Sequence, residues 1–238
     1  APYLFYIGEE KTVKVNNLDH RVRVIGLNHD YSELPDDDSD PDPSKVLGIT
    51  FEFENVITES NGSAVTKNWN IKDGYSSTNY DFRESTFNDF LNNDVLNMLP
   101  SGDDEHPDLR QVIKTVDKKV GVSTDEGKTY LAASFDGNTH PYPYLFSLAH
   151  DEMDNHAADF IPDGEGTKYQ YYINHPNNND RIKKKVGSDT EDPGEVYWSR
   201  SPSTYGRNWA WYVQGNGALN FLSALIRTKY AVVPAFCV

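Results

Sequence analysis

The stretch from Trp198 to Val238 constrains the fold more than any other part of the chain. Trp209-Ala210-Trp211-Tyr212-Val213 and Ala218-Leu219-Asn220-Phe221-Leu222 are apolar runs of strand length, with Gln214-Gly215-Asn216-Gly217 between them. An Asn-Gly pair between two such runs supplies the positive φ angles that a tight hairpin turn demands. Trp198-Ser199-Arg200-Ser201-Pro202 stands before this hairpin, and Tyr230-Ala231-Val232-Val233-Pro234-Ala235-Phe236-Cys237-Val238 follows it. Together these segments predict strands of one antiparallel sheet.

Upstream, the period changes from segment to segment. Lys11 to Ile25 reads as a second hairpin, because Val13, Val15, Val22 and Val24 alternate with polar residues around Asn16-Asn17-Leu18-Asp19. Gly26 to Asp30 then leaves the strand. Leu47 to Val56 is a strand with Leu47, Ile49, Phe51 and Phe53 on one face and Thr50, Glu52 and Glu54 on the other. Phe82 to Leu99 carries helical spacing in Phe87, Phe90 and Leu91, repeated in Val95, Met98 and Leu99, and Pro100-Ser101-Gly102 stops it. Leu109, Val112, Ile113 and Val116 predict a further short helix, which Lys118 and Lys119 suit at its C-terminal end. Tyr144 to Leu148 reads as a buried strand, Ala149 to Met153 as a helix start, and Thr167 to Ile173 as a short helix. Gly164-Glu165-Gly166 reads as a turn, Asn177 to Asp180 as a loop, and Lys183-Lys184-Lys185 as a solvated basic island. With no internal repeat and no linker, the expected architecture is one α+β domain over residues 1–238.

Charge and composition narrow the function. The 238 residues include 22 Lys and Arg against 37 Asp and Glu, a net charge of −15. Such a surface argues against nucleic acid, whose binders need a basic footprint, and against docking on an anionic membrane. No apolar stretch approaches the length of a membrane span, so no membrane insertion is expected. No signal peptide is visible at Ala1 to Tyr6. One cysteine, Cys237, excludes an intrachain disulfide framework and a cysteine-based zinc site. Aromatic residues make up 13%, with 15 Tyr, which suits a folded chain that presents rings to a partner.

Catalytic and cofactor motifs find no support. His150 and His156 stand six apart, on different faces of any helix, whereas a zincin needs two His four apart. The acidic loop from Glu33 to Asp42 lacks the order and the central Gly of an EF-hand, so calcium there rests on the clustered acids alone. There is no phosphate-binding glycine loop and no Gly-x-Ser-x-Gly elbow. Cys237, between Phe236 and Val238, reads as a buried small hydrophobe. The expectation is therefore a non-enzyme without a cofactor.

Several segments in order resemble an uncharacterised domain family of Firmicutes genomes, their phages and gut metagenomes. They include Val24-Ile25-Gly26-Leu27-Asn28-His29-Asp30, Gly48-Ile49-Thr50-Phe51-Glu52-Phe53 and Leu109-Arg110-Gln111-Val112-Ile113-Lys114. Gly164 to Tyr172, Trp198-Ser199-Arg200-Ser201-Pro202 and Val232-Val233-Pro234-Ala235-Phe236 belong with them. The Arg-Ser-Pro and Pro-Ala-Phe ending is also similar to that of variable proteins of diversity-generating retroelements. That resemblance implies a C-type-lectin-like fold, related to the formylglycine-generating enzyme, with short helices and a C-terminal antiparallel sheet. The enzyme's activity relies on paired cysteines, which this chain lacks. Ala231 and Val233 depart from the usual Gly and Arg of the ending, the acidic loop at 32–45 looks like an insertion, and the calcium-binding triplets of true C-type lectins are absent.

In such proteins a fixed scaffold displays ligand-contacting residues in its C-terminal region, here 197–238. The resemblance implies contacts from Tyr205, Arg207, Asn208, Trp209, Phe221, Leu222, Ser223, Leu225, Ile226, Arg227 and Lys229, with Trp198, Arg200, Trp211 and Val213 as scaffold. For Phe221 to Ile226 apolar identity does not separate a binding face from a core strand. The expected role is a receptor-binding domain at a phage tail fibre in the virion, or an adhesin on a bacterial surface. The expected partner is a host-cell surface protein or glycan. The alternative is a fibre-assembly or decoration protein using this region as a subunit interface, as a homotrimer or attached to a larger fibre.

Overall fold

The computed structural model describes residues 4–34, 42–70, 80–102, 108–123, 130–154, 164–205, 209–223 and 228–238. Among them the strands are β1 (Glu10–Val15), β2 (Leu18–Leu27), β3 (Ile49–Phe53), β4 (Thr66–Lys67), β5 (Tyr80–Asp81) and β6 (Val120–Ser123). There follow β7 (Tyr130–Ala133), β8 (Tyr197–Pro202), β9 (Trp209–Val213), β10 (Leu219–Ser223), β11 (Tyr230–Ala231) and β12 (Ala235–Cys237). The helices are short: α1 (Thr86–Asp89), α2 (Leu96–Met98), α3 (Leu109–Val112), α4 (His150–Met153) and α5 (Gln170–Asn174). Three mainly antiparallel sheets with these helices make the chain an α+β protein dominated by sheet.

The first sheet has the order β1-β2-β3-β12. Asn16 and Asn17, at φ 49° and 65°, close its β1–β2 hairpin, the left-handed pair that a two-residue turn requires. Register shifts by one residue between Val24 and Gly26, so Ile25 is extra in β2 and the consecutive Val24 and Ile25 are both buried. Strand β2 runs on to Leu27, past the expected break at Gly26.

The polar face of β3 is covered as thoroughly as its apolar face: Thr50, Glu52 and Glu54 are all buried. Glu52 accepts hydrogen bonds from Tyr172 Oη on α5 and from Lys183 Nζ, both at 2.7 Å. Lys183 is therefore not part of a solvated island. Its buried ammonium neutralises Glu52 and also donates to the Phe53 carbonyl at 2.9 Å.

The second sheet has the order β10-β9-β8-β11-β4, and β11 runs parallel to β8. This corrects the expectation of one C-terminal antiparallel sheet. The last segment is divided: β11 belongs to the second sheet and β12 to the first, pairing with β3. The break falls at Val232 to Pro234, where Pro234 has no N–H to give a ladder. The Val232 and Pro234 carbonyls accept from Ile57 and Phe53 amides instead, at 2.9 and 3.0 Å. The third sheet is β5-β6-β7.

The expected helix over Phe82 to Leu99 is shorter and segmented. Phe82–Glu84 is a 3-10 turn, Ser85 caps α1 by accepting the Asn88 amide at 3.0 Å, and a π turn at Phe90–Val95 joins α1 to α2. Phe87, Leu91 and Val95 still form the buried stripe. Helix α3 is one turn long, because Lys114 and Val116 donate their amides to the Cys237 and Pro143 carbonyls at 2.9 Å instead of extending it. Asn178–Arg181 forms a 3-10 turn where a loop is expected, boxed by Asn177 and Asp180. Of Tyr144 to Leu148 only Phe146 pairs, through an isolated bridge to Ala235, so no full strand forms there. Between the layers lies one apolar core that includes Phe53, Trp69, Phe87, Phe146, Tyr169, Trp198 and Phe236.

Candidate functional site

The β9–β10 hairpin carries rings of graded exposure. Its register places Val213 opposite Leu219, Trp211 opposite Phe221 and Trp209 opposite Ser223, so Val213, Trp211, Trp209, Leu219 and Phe221 share one face. Val213 and Trp211 are buried, Trp209 and Phe221 half-buried, and Tyr205, in the turn after β8, is 54% exposed. Tyr205 meets Trp209 at 4.6 Å between centroids and Phe221 at 5.6 Å, while Trp209 lies 5.7 Å from Phe221. Trp211 supports Phe221 from below at 4.9 Å, and the buried His150 ring packs against Trp211 at 4.6 Å. Such rings gain contact area with little side-chain entropy to lose.

The opposite end of the hairpin is held. Gly217 has φ +78°, and a Cβ there would fall 1.7 Å from the Asn178 carbonyl oxygen. Arg181 Nε donates to the Gly217 carbonyl at 2.9 Å. Beside the hairpin, β8 and β9 lose register between Trp198 and Pro202, and the looped-out Ser199–Ser201 is tied elsewhere. Arg200 N donates to Leu148 O at 3.1 Å, and His150 N donates to Ser201 Oγ at 2.9 Å.

Under this strand lies a buried ionic cluster. The Arg200 guanidinium pairs with Glu152 and donates to the Ser147 carbonyl at 3.0 Å and the Glu165 carbonyl at 2.6 Å. Lys118 pairs with Glu152 at 2.7 Å and with Asp30, and donates to Tyr169 Oη at 2.6 Å. Tyr169 Oη and Thr50 Oγ1 donate to Asp30 at 2.8 and 2.5 Å. Lys118 therefore does not end a helix in solvent; its charge is enclosed between two carboxylates. Burial disfavours the charged form of Asp30, but Lys118 and His29 overcome it and hold the group at about 2. Burial likewise opposes Glu152, which Arg200 and Lys118 keep below its ordinary value. Glu165 differs. Burial pushes it up to about 7, although it accepts the Gly121 amide at 2.7 Å and the Ser201 hydroxyl. The expected turn at Gly164 to Gly166 is present, and within it the Glu165 side chain is buried, bonded to β6 and β8. Cys237 is buried within reach of Thr50 Oγ1 at 3.5 Å, and burial raises its thiol well above the ordinary value.

The structure brings together Tyr205, Trp209 and Phe221 of the residues expected to contact ligand. It separates two others: half-buried Leu222 points to the opposite face from Phe221, and exposed Lys229 precedes β11, which β9 and β8 separate from β10. Ser223 pairs with Trp209 through the backbone. Arg207, Asn208, Leu225, Ile226 and Arg227 lie outside the described residues, as do His156 and positions 35–41 of the acidic loop. Trp198, Arg200, Trp211 and Val213 are buried, as expected of scaffold. His150, beneath Trp211, is an addition that only the fold supplies. Its place at the start of α4 is legible, but its contact with β9 is long-range. Among the described residues no three His, Cys, Asp or Glu side chains are grouped to hold a metal ion, and no helix is long and apolar enough to cross a membrane.

The chain is thus a sheet-dominated α+β protein with an aromatic hairpin face. A family model described as Domain of unknown function (DUF6273) matches residues 56–238, most of the chain, and the protein belongs to that family. The match takes in the aromatic face and β12, while β1 to β3, which complete the first sheet around β12, precede it. No curated protein and no solved structure matches the chain.

Proposed function

We propose that this protein is a non-catalytic recognition module whose partner is held by the ring face of Tyr205, Trp209 and Phe221. The observation that carries the reading is the exposed Tyr205 ring, packed edge-on to half-buried Trp209 and tilted against half-buried Phe221, over a buried floor of Trp211 and His150. A face so supported loses little freedom on binding, and rings of this kind dominate interface energetics. The strands beneath are anchored by Arg200 and Gly217, so contact residues can vary without disturbing the frame.

On this reading the fold is C-type-lectin-like, and the domain serves as a receptor-binding tip of a phage fibre or a bacterial surface adhesin, with a cell-surface protein or glycan as partner. Replacing Tyr205 and Trp209 together by Ala is expected to weaken binding to cells or to arrayed glycans by at least about 30-fold, or roughly 2 kcal/mol. The Tyr205→Ala single variant should keep the melting temperature of the parent, since its ring is more than half exposed. Cell or glycan binding that survives the double substitution in a folded protein overturns the reading. A trimer that dissociates on the same substitution supports the subunit-interface alternative.

A further inference from the structure

Lys118 is enclosed more completely than an ordinary ion pair requires. It stands just before β6, with Asp30 shortly after β2 and Glu152 on α4, and all three side chains are more than nine-tenths buried. Lys118 Nζ donates to Asp30 Oδ1 and, at 2.7 Å, to Glu152 Oε1, and it stands 4.4 and 5.0 Å from the centroids of the Phe146 and Tyr169 rings. The second oxygen of each carboxyl is held separately. Asp30 Oδ2 accepts from Tyr169 Oη at 2.8 Å and Thr50 Oγ1 at 2.5 Å, while Glu152 Oε2 accepts from the Ala149 amide at 3.0 Å and from Arg200. An amine, a carboxyl flanked by two hydroxyl donors and a second carboxylate within reach of the amine are thus fixed in one buried place. Reactants held in this way reach effective molarities of about 10⁵–10⁸ M, which a condensation of amine with carboxylate lacks in water. Burial pushes in the same direction, because an amide would replace two enclosed charges whose desolvation is costly. The three residues also help to line a cavity of about 340 Å³, which gives a released water a way out.

We propose that Lys118 and Asp30 join covalently in the folded chain, through an isopeptide bond made with Glu152 as proton carrier. The ammonium gives a proton to Glu152 Oε1, and the Nζ lone pair attacks Asp30 Cγ. The Nζ–Cγ bond forms and the Cγ–Oδ1 bond breaks. Two of the three ammonium protons leave on Oδ1 as water, passed on by Glu152, which ends ionised as it began; the third stays on the amide nitrogen. Nothing is oxidised or reduced. Thr50 and Tyr169 face Oδ2, where negative charge gathers during the attack. In the product Oδ2 is the amide oxygen and keeps both donors, the amide N–H has Glu152 Oε1 to donate to, and Glu152 and Arg200 remain as a balanced pair. The charged pair is the resting form and the neutral amine its minor tautomer, so the reaction is slow beside folding. The acid-side titration of Asp30 belongs to the chain before the bond forms. The bond would span 88 residues and tie the end of β2 to the start of β6. Lys183, equally buried against Glu52, has no second carboxylate among the described residues to carry its protons and is expected to stay free. None of the ring-face residues takes part, so this proposal and the recognition reading stand or fall separately.

Mass spectrometry of the full chain tests the proposal. Folded protein incubated near neutral pH is expected to reach a mass one water below that of the sequence. Tryptic digestion should then yield a branched peptide joining residues 24–45 to residues 115–119, with the chain uncut after Lys118. Protein held unfolded in urea over the same period should keep the sequence mass, as should Lys118→Arg. Glu152→Gln should slow bond formation at least about 100-fold, because the proton carrier is gone. The peptides of the parent decide the matter whether or not the variants fold. A folded parent that keeps the sequence mass overturns the proposal. So does a lost water with the two peptides still separate, as a succinimide would give, or a bond from Lys118 to Glu152 or from Lys183 to Glu52 in place of the expected one. An equal rate in folded Glu152→Gln overturns the part given to Glu152.

Discussion

At the scale of single residues, the buried ionisable groups govern how stability follows pH. Glu165 sits at about 7 in the folded chain against 4.5 for an ordinary glutamate. Between those values the folded state keeps a proton that the unfolded state has released, so stability falls as pH rises through this window and levels off above it. The difference corresponds to about 3 kcal/mol. Asp30 has the opposite sign: at about 2 against 3.8, it contributes stability above roughly pH 4 that is lost as pH falls toward 2. Urea midpoints measured from pH 4 to pH 9 should therefore decline toward neutrality in the parent and decline less in Glu165→Gln. Parallel curves for the two proteins would rule out this role of Glu165. Arg200→Ala strips Glu152 of one of its two cations and takes a donor from the Ser147, Lys119 and Glu165 carbonyls, a loss of about 3–5 kcal/mol on the same assay. None of this cluster is legible in the sequence. Lys118 follows a predicted helix and Lys183 sits in a basic triplet, both patterns of solvated charge. Their partners are 88 and 131 residues away, and no local period reports a contact of that span.

At the scale of elements, local signals are read correctly and the connections between layers are not. The Val13 to Val24 alternation, the Asn-Asn and Asn-Gly turns and the Phe87 to Val95 stripe each act within a few residues, and each element appears near its expected place. The ring face is half legible for the same reason: a hairpin register puts Trp209, Trp211 and Phe221 on one face, but it does not reveal that Tyr205 folds over them. The division of the C-terminal segment between two sheets depends on what Pro234 and Ala235 meet across the core, which is β3 and Phe146. That crossover has a mechanical consequence. Phe236, in the first sheet, stacks on Phe51 at 5.4 Å and packs against Phe53 at 6.0 Å. Two of the four Trp residues lie in β9, Trp198 lies in β8, and Trp69 Nε1 donates to Ser199 O at 2.9 Å, so tryptophan emission reports the second sheet. Phe236→Ala is expected to cost about 3–5 kcal/mol and to move the unfolding midpoint equally by tryptophan emission and by far-ultraviolet dichroism. If the emission midpoint stayed in place while the dichroism midpoint fell, the two sheets would be unfolding as separate units.

At the scale of the whole molecule, a net charge of −15 and an aromatic face make opposite demands on solvent ions. The excess of like charge repels itself in the compact state, and salt shortens the range of that repulsion to within several ångströms. Raising ionic strength from about 0.05 to 0.5 M should therefore increase the melting temperature by a few degrees. The recognition proposed for Tyr205, Trp209 and Phe221 would rely on apolar area and ring contact, which salt of this kind leaves nearly untouched. The partner's affinity is then expected to change by less than about threefold over the same range, while a contact made through the acidic surface would weaken severalfold as its attraction is screened. Measuring both quantities on one preparation separates frame from face. A melting temperature that rises with salt beside an affinity that does not would place recognition on the rings. An affinity that collapses with salt would move it to the acidic surface and leave the ring face to pack against another subunit.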